Sequence, residues 1–137
     1  MIGTLDHVGY LVGDLDAAVA EFVSVLGLAV VRRFERPEFS VRGVYLGPGE
    51  GSVELFTFTD EALLAERLGQ ARVLLDHVAY AVSDIDAVAA RMSAAGVRFA
   101  GPDLRGELHE PVDLGGVRHL WTVPESSGGA AIQLLQR

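Results

Sequence analysis

One stretch of this chain occurs twice. Leu5-Asp6-His7-Val8-Gly9-Tyr10-Leu11-Val12-Gly13-Asp14-Leu15-Asp16-Ala17 returns as Leu75-Asp76-His77-Val78-Ala79-Tyr80-Ala81-Val82-Ser83-Asp84-Ile85-Asp86-Ala87, at a constant offset of 70 residues. Self-similarity at a fixed offset constrains architecture before any local reading does. Two copies fall short of the three or more that a solenoid needs. They predict one domain built from two similar halves, which suits a chain of 137 residues.

Each copy opens a recognisable order of elements. Thr4 to Val12 alternates and is rich in β-formers, which predicts a strand. His7, Gly9 and Leu11 share one of its faces, and Val8, Tyr10 and Val12 share the other. Asp14 then stands as a helix N-cap. Leu15, Val19, Phe22, Val23 and Leu26 recur at helical spacing, and Gly27 supplies the stop. Strands are predicted over 29–34, 41–46 and 52–58, with Pro37 and the Gly47–Gly51 turn between them. A short linking helix follows over 60–68.

The second copy then repeats the order. Its strand carries His77, and its helix runs from Asp84 to a stop at Gly96. Short strands follow over 97–100, 117–123 and 130–135. Residues 101–116 show no clear period, and so long a loop in a compact domain is functional or mobile. The boundaries are about 1–58 for the first module, 59–72 for the linker and 73–137 for the second. The fold class is α+β, each module reading strand-helix-strand-strand-strand.

Composition excludes several functions. The net charge of −8 argues against nucleic acid and is compatible with attraction for a cation. No apolar run approaches the roughly 18 residues of a membrane span. The N-terminus has no basic region leading into an apolar one, so no signal peptide is expected. With no cysteine there is no disulfide framework and no thiolate ligand, which fits a cytoplasmic setting.

The candidate chemistry lies in four polar residues inside apolar strands. His7 and His77 hold equivalent places in the two copies. Glu54 in Ser-Val-Glu-Leu and Gln133 in Ala-Ile-Gln-Leu hold equivalent places in the last strand of each half. A lone histidine in a strand is usually an ordinary core residue, but the repetition of the whole set is hard to ascribe to chance. A buried carboxylate or amide costs several kcal/mol unless paired. A divalent metal would satisfy all four at once.

These residues carry a family resemblance. Leu5 to Ala18 with Leu26-Gly27-Leu28 resembles the opening of the vicinal oxygen chelate superfamily, and Leu75 to Asp86 resembles the start of its second module. That superfamily includes glyoxalase I, methylmalonyl-CoA epimerase, extradiol dioxygenases and bleomycin- and fosfomycin-resistance proteins. The resemblance covers nearly the whole chain and is nearest to the epimerase and glyoxalase I branch. It implies two pseudo-symmetric βαβββ modules forming a cupped, partly open mixed sheet around a divalent ion (Mn, Co, Ni, Zn or Fe). The implied metal ligands are His7, Glu54, His77 and Gln133. It also implies a homodimer and a small-molecule substrate with adjacent oxygens.

Gln133 departs from the family, where glutamate is usual in glyoxalase I, the epimerase and the dioxygenases. An amide oxygen can bind a metal but cannot take a proton. Only Glu54 then offers a base from a ligand position. The resemblance therefore implies an isomerase, epimerase or lyase that moves a proton next to chelated oxygens through an enolate-like intermediate. A metal-free drug- or metabolite-binding protein is the alternative, and a ring-cleaving dioxygenase a second.

Inversion needs another acid or base. His119 and His109 are the candidates, the first in a strand whose other face carries Arg118, Leu120 and Thr122, the second in the long loop. Tyr10 and Tyr80 point away from their histidines and are expected under the helices. Arg32, Arg33 and Arg36 read as a solvated strand end that could also meet an anionic substrate tail. Gly47-Pro48-Gly49-Glu50-Gly51 lacks the Lys-Ser/Thr of a phosphate-binding loop.

Overall fold

The computed structural model describes residues 2–137. In chain order the elements are β1 (Ile2–Val12), α1 (Leu15–Leu26), β2 (Val30–Arg36), β3 (Val41–Leu46), β4 (Val53–Phe58), α2 (Glu61–Leu68), β5 (Val73–Val82), α3 (Ile85–Ala94), β6 (Phe99–Ala100), β7 (Val112–Leu114), β8 (Val117–Thr122) and β9 (Ala131–Gln136). The chain divides into two compact units. One spans His7–Asp76; the other joins His77–Arg137 to the leading residues of β1 up to Asp6.

The helices begin and end where the sequence signals stand. The side chains of Asp14, Asp60 and Asp84 accept from the backbone N–H of Ala17, Leu63 and Ala87, each at 3.0 Å. Each cap satisfies an amide that has no partner inside the helix and contributes about 1 kcal/mol. Gly27 closes α1 in the left-handed conformation, which costs a residue without Cβ nothing.

In the unit of residues 7–76, β1 runs parallel to β4, β4 antiparallel to β3, and β3 antiparallel to β2. Two apolar layers flank this sheet. Val12, Leu15, Val19, Val44, Leu46 and Leu55 pack under α1, with Tyr10 and Phe22 against them. Leu11, Phe56, Phe58, Leu63 and Leu68 pack on the opposite face under α2. A buried Leu or Phe contributes about 1.5–3 kcal/mol, so these layers hold the strands in register. His7 and Glu54 lie on the α2 side but outside that apolar layer.

Gly43 in β3 is fixed by packing. A Cβ there would lie 2.9 Å from the Leu55 carbonyl oxygen and closer still to the Phe34 ring. Phe34 pairs with Gly43 across β2 and β3 and lies over it. Gly43→Ala is expected to lower stability by about 1–3 kcal/mol through overpacking. The urea midpoint should fall while the m-value stays constant.

The other unit repeats the arrangement. β5 runs parallel to β9, β9 antiparallel to β8, and β8 antiparallel to β6. Val82, Ile85, Val88, Phe99, Leu120 and Leu134 form its core with α3. The loop over 101–116 is not wholly irregular. β7 pairs with β8 through the two-residue turn Gly115-Gly116, both at positive φ. Asp113 accepts from the Gly116 N–H at 2.8 Å. A three-residue strand is too short for a periodic signal, but Gly-Gly between paired residues is the tight-hairpin turn.

The repeat extends to two ion pairs. Arg137 pairs with Asp6 at 2.7 Å in one unit, and Arg67 pairs with Asp76 in the other. The two arginines stand 70 residues apart, as do the two aspartates. Arg118 forms a two-pronged pair with Asp86 of α3 at 2.7 and 2.8 Å. Those bonds hold the Asp86 carboxyl below its ordinary value and raise Arg118. The contribution of Asp86 is therefore present above the usual carboxylate range and is lost in acid, as pH falls through its lowered value.

Candidate metal centre

The register of each unit places its polar pair on one face. In the unit of residues 7–76, Gly9 aligns with Glu54 across the parallel strands. His7, two residues before Gly9, lies on the same face as Glu54 because strand side chains alternate. In the other unit Ala79 aligns with Gln133, and His77 stands two residues before Ala79. Both units thus build the same constellation: a histidine in the first strand, and a polar side chain one pleat along on the parallel last strand.

All four side chains are buried: His7 1 %, Glu54 6 %, His77 5 % and Gln133 2 % exposed. His7 Nε2 lies 3.8 Å from Glu54 Oε2. That is beyond hydrogen-bond length. It matches the separation of two donors on one ion, since ligand bonds of about 2.0–2.2 Å set adjacent donors roughly 3–4 Å apart. Gln133 Oε1 is buried with no hydrogen-bond partner among the described residues. A buried carbonyl oxygen in that condition costs about 1–3 kcal/mol. The donor set of imidazole, carboxylate and amide oxygen suits a borderline divalent ion, so these residues fit a metal.

Aromatic rings stand opposite the polar residue in both units. Tyr45 aligns with Glu54, and Trp121 with Gln133. The Tyr45 ring meets the His7 ring edge-on at 5.3 Å between centroids, and the Arg32 guanidinium sits over it at 4.0 Å. Arg32 is exposed, as a solvated strand end would be, and its guanidinium is anchored over that ring. Tyr45 was not among the candidates from sequence. Its position depends on the β3–β4 register, which the length of the Gly47–Gly51 turn decides.

The two candidate acid/base histidines part company. His119 lies on the same face as Gln133, and the two side chains join at 2.8 Å between His119 Nδ1 and Gln133 Nε2. The other face of β8 sends Leu120 into the α3 core and Arg118 to Asp86. His109 instead lines a cavity of about 480 Å³ against α3, with Asp86, Ser93, Arg98 and Glu107. Tyr10 packs edge-on against Phe22 of α1, as its register implied.

Comparison with known proteins shows the family and the fold. The model of the glyoxalase/bleomycin resistance protein/dioxygenase superfamily matches residues 6–110. The chain belongs to that superfamily. It is 30% identical over 103 residues to the ethylmalonyl-CoA/methylmalonyl-CoA epimerase of Cereibacter sphaeroides, covering 74% of this chain and 77% of that one. The structure of methylmalonyl-CoA epimerase from Mycobacterium tuberculosis superposes with a TM-score of 0.83 at 27% identity, covering 98% of this chain and 88% of that one. A substituted form of Streptomyces coelicolor methylmalonyl-CoA epimerase, in complex with 2-nitronate-propionyl-CoA, shares the fold at a TM-score of 0.79 and 24% identity, covering 99% and 98%. The fold is α+β and glyoxalase-like, with an open mixed sheet. No helix among the described residues is long and apolar enough to cross a membrane.

Proposed function

We propose that the chain is a metal-dependent epimerase or isomerase, with His7, Glu54, His77 and Gln133 together holding one divalent ion. The substrate class is an acyl thioester whose acidic C–H lies beside two chelating oxygens, as in a 2-alkylmalonyl-CoA. The observation that carries this reading is the same buried histidine and polar partner at the same register in both units. Likeness to proteins named as epimerases supports the substrate class.

When bound, the ion supplies a Lewis acid that stabilises negative charge developing on the substrate oxygens. The chain's own residues do the rest. The Glu54 carboxylate takes up the proton from the acidic carbon, since it is the only carboxylate in the set, and can return it to the same face. Inversion also needs a proton delivered to the opposite face, for which His119, on the face of Gln133, is the candidate. Leu11, Phe56 and Phe58 close one end of its face to water. Arg32, held over Tyr45, puts a cation on the same unit for the carboxylate or phosphate of an anionic substrate.

Incubation with methylmalonyl-CoA in heavy water tests this. Deuterium should enter at the carbon bearing the methyl group, only with Mn, Co, Ni, Zn or Fe(II) present, and a chelator should stop it. Exchange that ignores the chelator would sink the metal role. Tight ligand binding without metal or exchange would instead mark a binding protein of this fold. Oxygen uptake with a catechol would mark a dioxygenase.

A further inference from the structure

We propose that His119 is a positioning residue that fixes which end of the Gln133 amide faces the metal site. The orientation depends only on this unit of the fold. That the exposed end then meets a metal rests on the function proposed above.

A primary amide has two unlike ends. Its oxygen carries lone pairs that bind a cation, whereas its NH₂ group only donates. The two orientations differ by a half-turn and occupy nearly the same space, so packing alone hardly distinguishes them. A hydrogen bond can. Gln133 Nε2 lies 2.8 Å from His119 Nδ1. Nε2 is always a donor, so Nδ1 must accept, and the neutral ring carries its proton on Nε2. Oε1 is thereby left at the other end of the amide, buried and with no hydrogen bond among the described residues. Were the proton on Nδ1, the bond would call for Oε1 and turn the NH₂ group the other way.

The imidazole is itself held. It stacks on Trp121 with centroids 5.5 Å apart and planes 12° from parallel. Trp121 aligns with Gln133 across β8 and β9. Stacking of that kind fixes the plane of the ring, and the bond to Gln133 is what selects the edge that carries Nδ1.

The first unit shows why the second needs this residue. Tyr45 stands opposite Glu54 as Trp121 stands opposite Gln133. Two residues before each aromatic, the first unit has Gly43 and the second has His119. Phe34 lies over Gly43. A carboxylate has two equivalent oxygens, and either can face a cation. An amide must be oriented. The glutamine and the histidine that orients it therefore occur in the same unit.

Three measurements test the proposal. In metal-free protein with ¹⁵N-labelled histidine, long-range proton–nitrogen correlation should show His119 with Nδ1 bare and Nε2 protonated. Gln133→Glu removes the donor and should reverse or erase that preference. His119→Phe keeps an aromatic ring over Trp121 but loses the bond, and should weaken Mn²⁺ or Co²⁺ binding about 10–100-fold. In the Gln133→Glu background, where a carboxylate needs no orienting, His119→Phe should cost little further affinity; a purely structural role would cost as much there as in the wild type. A proton on Nδ1 in the wild-type protein would overturn the proposal. So would His119→Phe binding metal as tightly as wild type. Failure of all forms to bind metal would overturn the proposed function and with it the ligand role of Oε1, while the tautomer would still decide the orientation.

Discussion

Glu54→Gln is expected to slow deuterium entry at the substrate carbon by about 10²–10⁴-fold, the usual worth of a positioned general base. The change is nearly isosteric, so β4 should keep its place between β1 and β3. It also takes the only negative charge out of the ligand set, and weaker metal binding alone would slow the reaction. The two causes separate in the double variant Glu54→Gln/Gln133→Glu. That protein again has two histidines, one carboxylate and one amide, but the carboxylate now comes from the other unit. Metal affinity should recover to near wild type. Exchange should not recover for the substrate epimer that Glu54 serves. Recovery of both would mean that charge in the ligand set, rather than a base at position 54, sets the rate.

Metal itself should stabilise the fold. An ion that binds only the folded chain adds about 2.7 kcal/mol at one hundred times its Kd. For a chain of this size that is a rise in Tm on the order of 10 °C. His7→Ala and His77→Ala each remove a buried side chain and will lower the metal-free Tm by leaving a cavity. The informative quantity is therefore the shift each variant shows on adding metal. It should vanish in both. In His109→Ala it should remain at the wild-type size, because His109 lies in the cavity against α3 and not on the face of Gln133. Scanning calorimetry with and without Co²⁺ or Mn²⁺ reads all four proteins.

Much of this was legible in the chain because its signals are local. The Asp14 and Asp84 caps, the Gly27 stop and the alternation through His7 and His77 each rest on residues within a few positions of one another. The 70-residue repeat turned two local patterns into one architecture. What was not legible depends on register between strands. Tyr45 meets Glu54 only because the 47–51 turn sets how β3 folds back on β4. Nothing near Arg118 in sequence announces Asp86, 32 residues earlier. The two faces of β8 could be told apart by alternation but not assigned, and burial of Leu120 against α3 assigned them. β7 escaped because three residues carry no period, although the Gly115-Gly116 turn beside it was readable. The two histidines proposed as acid or base looked alike in sequence, and only the side of the sheet distinguishes them.

The most direct measurement is anomalous diffraction from crystals grown with Co²⁺ or Mn²⁺, recorded at the absorption edge of the metal. A single strong peak within bonding distance of His7, Glu54, His77 and the oxygen of Gln133 is expected, absent from crystals of His7→Ala. No peak at those residues, or a peak held elsewhere on the chain, would contradict the assignment of a metal-dependent centre.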